Sequence, residues 1–227
     1  MVAICIFVSF AFYIVKASRL EAQSLALIST GQFEHAETNI QTLLKRSLLI
    51  KTRSVANLYH LVLLRHAQKK WADVAALCCV LSRQKSISKT PYYRALLLIT
   101  VEAMLEAGNL DGAYAALMKL YQMRLSLTEA TNLLVLQLDY ESRIGAWESM
   151  VPSNSTFKRV QLAELLPSVQ AARAQGLMAL AAKKLGRPLW CQWLTRRAQL
   201  LVGMNDLVAD RPILAELGNT AAGLLPA

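Results

Sequence analysis

The stretch Ser29–Thr38, STGQFEHAET, reads as a chain reversal followed by the start of a helix. Gly31 makes the reversal: a glycine just past a helix end takes up a left-handed backbone at no steric cost, so the chain turns back and a second helix begins within a few residues. Counted from that glycine, Phe33 stands at the second place and Ala36 at the fifth, and Ile40 and Leu43 complete an apolar stripe at helical spacing. The bulky second place fills the wedge beside the turn. The small fifth place lets two antiparallel helices approach closely.

The same registers return along the chain. Gly108 leads to Leu110, Ala113, Leu117 and Leu120, and Gly145 leads to Trp147 and Met150. A weaker copy has Lys69 where the glycine would stand, followed by Trp71, Val74, Cys78 and Leu81, and its turn is expected to close by another geometry. A last, degenerate copy begins at Gly186 and places Cys191 at the small-residue position. Similarity at steps of about 37 to 41 residues is the signature of stacked helical hairpins. Helices are expected to pair as 18–29 with 33–45, 54–68 with 71–83, and 92–107 with 110–124. A helix over 127–143 then meets a short partner from Ala146 that PSNSTFK interrupts, one helix over 162–185 pairs with 189–202, and a tail around Pro212–Leu217 caps the series.

Composition agrees with a folded, helical chain. With 227 residues, 55% of them hydrophobic, the chain buries a sizeable core and disorder is excluded. Only 9 Gly and 6 Pro are present, and β-branched residues never gather into alternating runs, so the class is all-α. The net charge of +10 favours anionic surroundings, whether lipid head groups, RNA or an acidic protein face. Cys5, Cys78, Cys79 and Cys191 are too few and too poorly spaced for a disulfide framework and read as buried, reduced thiols.

The repeated pattern resembles the tetratricopeptide repeat (TPR), from about Leu20 onward, although its steps are longer than the usual 34 residues. A looser likeness, carried by the hydrophobic start, ALISTGQFEHAE and SRIGAWESM, connects the chain to the membrane-anchored HemY type of bacterial tetratricopeptide protein. The resemblance implies a right-handed solenoid of about five TPR-like hairpins preceded by a hydrophobic N-terminal helix. Residues 1–17 would be the anchor, 18–151 the repeats, and 152–227 a degenerate repeat with its cap. In such a fold the first helix of each pair lines a ligand groove, which places Glu21, Tyr59, His66, Glu102 and Asp139 on or near it. Leu25 and Leu63 stand where a clamp for a C-terminal carboxylate would need amides, so the implied ligand is an extended or helical peptide rather than a chaperone tail.

The N-terminal run MVAICIFVSFAFYIV, Met1–Val15, is uncharged and is followed by Lys16 and Arg19. A crossing helix needs about 20 apolar residues, so this one is short unless the bilayer thins or Lys16 snorkels. Read as a single-pass anchor, its flanking Lys45, Arg46, Lys51 and Arg53 place the following domain in the cytoplasm and next to acidic lipid. Read as a signal peptide it would export the domain, but the positively charged start is missing. As a first core helix it would lack the polar side a terminal helix exposes.

No catalytic constellation emerges, and neither an enzyme, a cofactor nor a metal is expected. His35, His60 and His66 share no helical face, and the adjacent Cys78 and Cys79 lack a CxxC partner. Glu102 and Glu106 lie one helical turn apart, as on an exposed face. Asn154 heads a glycosylation sequon, which matters only in a secreted chain. The acid-free stretch from Lys45 to Lys70 offers few planar side chains among its charges, chiefly Tyr59 and, just past its end, Trp71, which the hairpin already uses, and this disfavours nucleic acid. Two function classes stand: a membrane-tethered TPR-like scaffold for protein–protein interaction or assembly of an envelope complex, and a basic helical-repeat module that binds RNA or another anionic polymer.

Overall fold

A computed structural model of the chain describes residues 18–47, 51–84, 87–151 and 157–217. These form helices joined by short turns, with no strand among the described residues. In order, the α-helices are α1 (18–29), α2 (Phe33–Ser47), α3 (Lys51–Ala67), α4 (Trp71–Ser82), α5 (Tyr93–Glu106) and α6 (Leu110–Tyr121). They continue with α7 (Leu127–Arg143), α8 (Trp147–Met150), α9 (Phe157–Glu164), α10 (Ser168–Lys184), α11 (Pro188–Leu201) and α12 (Met204–Asp210). The apolar run Met1–Val15 lies outside the described residues, and among those described no helix is long and apolar enough to cross a membrane.

Five turns share one geometry. Gly31, Gly108, Gly145 and Gly186 have φ of 77°, 74°, 72° and 65°. In each turn the left-handed residue donates its N–H to the carbonyl three residues back, and the next residue donates to the carbonyl five back. At the first turn these bonds run from Gly31 to Ile28 at 3.2 Å and from Gln32 to Leu27 at 2.9 Å. This is the Schellman closure of a helix C-terminus, which satisfies carbonyls that would otherwise have no partner.

Lys69 overturns one expectation. Its φ is +56°, and the same two bonds form, from Lys69 to His66 and from Lys70 to Arg65, each at 2.9 Å. The turn therefore closes as the glycine turns do, with a lysine holding a conformation that costs an L-residue about 1–2 kcal/mol. The hydrogen-bond demand of the end of α3 outweighs the steric preference of the residue.

From the fifth place onward the positions counted from these turns are buried, whereas the second-place residues Phe33, Trp71, Leu110 and Trp147 are only half-buried. Ala36, Ile40 and Leu43 are buried in α2, Val74, Cys78 and Leu81 in α4, and Ala113, Leu117 and Leu120 in α6. Met150 is buried in α8, and Cys191 and Ala198 in α11. Cys79, expected to be buried, is exposed, because its neighbour Cys78 takes the inward register and adjacent side chains on a helix diverge by about 100°.

The chain forms two compact units, Met1–Asn109 and Leu110–Ala227. In the first, α2 packs on α3, α3 on α4, α4 on α5, and α3 also touches α5. Arg65 of α3 grips Glu37 of α2 through two bonds, at 2.6 and 3.0 Å. That guanidinium holds the Glu37 carboxyl below the ordinary glutamate range.

In the second unit α10 is the central helix, buried along Ala174–Ala182 and packed against α7, α8, α9, α11 and α12. The helix α7 starts at a capping box in which Ser126 and Glu129 each bond the other's backbone N–H. Residues 162–185 do not form one helix. Pro167 has no N–H and disfavours a helical conformation at Leu166, so α9 ends at Glu164 and α10 starts at Ser168. After α12, a short 3-10 turn over Pro212–Leu214 buries Leu214 against α10, where Gly176 has no side chain to block it, and Leu217 is buried beyond it.

Candidate functional site

Four of the five residues expected at a groove lie in the first unit, on α1, α3 and α5. His66, at the end of α3, shares a hydrogen bond of 2.9 Å between its Nε2 and Oε2 of Glu102 on α5. Both side chains are about one-third exposed, so the pair reaches solvent. Trp71, the wedge residue after the Lys69 turn, meets the His66 ring edge-on with centroids 5.2 Å apart. Trp71 thus packs against the imidazole.

Two helical turns earlier on α3, Tyr59 stacks on Tyr92 with centroids 5.0 Å apart and an interplanar angle of 24°. Tyr59 is buried and its hydroxyl is pushed above the ordinary tyrosine range by that burial, while Tyr92, just before α5, stays exposed. The contacts of Tyr59 with Tyr92 and of His66 with Glu102 set α3 and α5 side by side and parallel. They form a strip with a phenol at one end and an imidazole–carboxylate pair at the other.

His60, next to Tyr59, is turned inward and buried, and its Nδ1 has no hydrogen-bond partner. Burial holds its imidazole below 6.5, and the carboxylate of Glu21 on α1 pulls weakly the other way. Glu21 is therefore placed by α3 on the side of His60. His35 lies on the exposed side of α2.

Asp139 lies in the second unit and is only 3% exposed. Its carboxylate accepts from Arg173 at 2.8 Å, faces Arg211 at 3.2 Å and Arg143 at 3.5 Å, and is enclosed by them. Arg173 comes from α10 and Arg211 from the segment after α12, so this aspartate ties two other parts of that unit to α7. Removing one partner of such a cluster leaves buried charge uncompensated. Its role here is to hold the fold.

Lys45 is exposed near the end of α2, whereas the side chains of Arg46, Lys51 and Arg53 lie outside the described residues, as do Asn154 and Cys5. Among the described residues no group of three His, Cys, Asp or Glu is placed to hold a metal ion. Cys78 is a buried thiol pushed up to about 11 by its apolar surroundings, which makes it a poor nucleophile.

Sequence reasoning missed Tyr92, the Trp71 contact to His66 and the inward His60. The ring and hydrogen-bond contacts span 33 and 36 residues, close to one repeat step, and that offset is the signal that could have paired them. The strip offers a carboxylate, an imidazole and an aromatic surface. No family model matches the chain, and no curated protein and no solved structure is significantly similar to it.

Proposed function

We propose that this chain is a membrane-tethered TPR-like scaffold whose first helices, α1, α3 and α5, present a surface for a protein or peptide partner in an envelope assembly. The observation that carries this reading is the series of five left-handed turns, 38, 39, 37 and 41 residues apart, each closed by the same pair of backbone bonds. Identical closures at a near-constant step are what a series of about five helical hairpins in a right-handed solenoid requires. In such a series neighbouring first helices share one face. The parallel placement of α3 and α5, bridged by His66–Glu102 and Tyr59–Tyr92, supports that face as the recognition surface.

The tether is Met1–Val15, with Lys45, Arg46, Lys51 and Arg53 against acidic lipid and the repeats on the cytoplasmic side. The net charge of +10 favours a second reading, a module that binds RNA or another polyanion. Salt separates the two, because polyanion binding releases counterions and weakens steeply as salt rises, whereas an apolar and hydrogen-bonded peptide contact loses far less. The test is affinity purification of the whole chain from detergent-solubilised membranes at low and high salt, in the parent and in a His66→Ala, Glu102→Ala double variant. A protein partner retained at high salt and lost in the variant is the expected result. Nucleic acid recovered at low salt alone would replace the scaffold reading.

A further inference from the structure

The helix α11 carries an exposed stripe that packing in the second unit does not use. Its inner side buries Cys191, Leu194, Thr195 and Ala198. On the opposite side Leu189 and Leu200 are 80% and 85% exposed, and Trp193 lies between them at 38%. Leu189, Trp193, Arg196 and Leu200 stand 4, 7 and 11 residues from the first. At 3.6 residues per turn they fall within an arc of about 60° and run about 16 Å along the helix.

The Trp193 ring is held in place. Arg197 lies over it at 4.7 Å while pairing with Glu164, and Trp190 abuts it edge-on at 5.4 Å. Arg187 and Arg196 are exposed and form no ion pair among the described residues, and α11 contains neither Asp nor Glu.

We propose that this stripe of α11 lies on the surface of an anionic lipid bilayer, with Leu189 and Leu200 entering the acyl boundary, Trp193 at head-group depth, and Arg187 and Arg196 on lipid phosphates. Tryptophan and arginine beside exposed leucines are the residue types that place a helix in the interfacial plane. Charge selects the occupant. Unpaired guanidiniums with no acid on the helix match lipid phosphate, whereas two copies of this helix would bring their arginines together. A single-file stripe on a convex helix also offers no groove for the side chains of a protein partner. The contact is independent of any tether at Met1–Val15.

The test is tryptophan quenching of the full-length protein by vesicles with brominated acyl chains. One set is phosphatidylcholine and the other contains one third phosphatidylglycerol. Subtracting the Trp193→Phe variant isolates the Trp193 signal from the other tryptophans. Trp193 should be quenched in the mixed vesicles and much less in phosphatidylcholine. Replacing Leu189 and Leu200 together by Ser should raise the lipid concentration for half-quenching at least ~tenfold, because each leucine loses its burial. Arg196→Glu should shift it in the same direction. These side chains are exposed, so circular dichroism should match the parent. A protein held to vesicles only through its N-terminus would sediment with them and leave Trp193 unquenched. That outcome, or equal quenching in both lipid sets, would overturn the proposal, as would self-association abolished by Leu200→Ser without any quenching.

Discussion

Replacing Lys69 by glycine should stabilise the protein. Lys69 holds φ at +56°, a conformation that costs an L-residue about 1–2 kcal/mol and a glycine almost nothing. The lysine side chain is exposed and makes no ion pair among the described residues, so the substitution removes little. Against this, glycine raises the entropy of the unfolded chain by about 0.4–1 kcal/mol. The net gain is about 0.5–1 kcal/mol, which in a chain of this size raises the melting temperature by roughly 1–4 °C. The opposite change at an equivalent turn supplies the control. At Gly108 a Cβ would meet nothing within 4 Å, so the expected loss with Gly108→Val, at least ~1 kcal/mol, comes from the backbone alone. Melts followed by circular dichroism on the parent and the two variants measure both signs. A Lys69→Gly protein that melts below the parent, or a Gly108→Val protein that melts with it, would refute the claim that these turns share one left-handed closure.

Asp139→Ala should cost several kcal/mol, up to about 3–5, in urea unfolding, because Arg173 and Arg211 lose the buried carboxylate they share, although Arg173 keeps Asp210 at 4.0 Å; a loss below 1 kcal/mol would contradict the role assigned to it. His60 has its pKa held below 6.5 by burial, so the unfolded chain takes up the proton first as pH falls. The contribution of His60 to stability is then complete above about 6.5 and declines on acidification below it, and His60→Leu should flatten that slope in melts between pH 7.5 and 5.5. Glu37 adds a loss at lower pH, since its carboxyl is held below 4.5 by Arg65. Its contribution is complete above 4.5 and declines as pH falls through the depressed value. Glu37→Gln should cost about 1 kcal/mol at neutral pH, the pair being partly exposed. Alkylation of the native protein followed by peptide mass spectrometry should label Cys79 and spare Cys78, whose thiol is buried and pushed up to about 11 by its apolar surroundings.

The turns were legible in the sequence because their cause is local. A glycine after a helix, with a small residue five places on, specifies both the left-handed backbone and the buried face, and Ala36, Ala113 and Cys191 are all buried. Lys69 was legible in register but not in conformation, since nothing in a lysine announces a left-handed φ. The demand comes from the last carbonyls of α3. The break before α10 was written in Pro167, but the apolar periodicity on either side reads straight through it. Pairings one repeat apart, His66 with Glu102 and Tyr59 with Tyr92, became visible only when α3 and α5 were placed together. Asp139 looked like a groove acid because it stands on a first helix. Only the fold brings in Arg173 and Arg211, distant in sequence, to enclose it.

The central claim, recognition through the faces of α3 and α5, is tested most directly by site-specific photocrosslinking in cells. A photoreactive phenylalanine analogue would be placed at His66, at Glu102 and, as control, at the exposed Val80 on α4. The account predicts one protein crosslinked from both His66 and Glu102 and not from Val80. Crosslinks of equal strength from Val80, or crosslinks to nucleic acid alone, would contradict it.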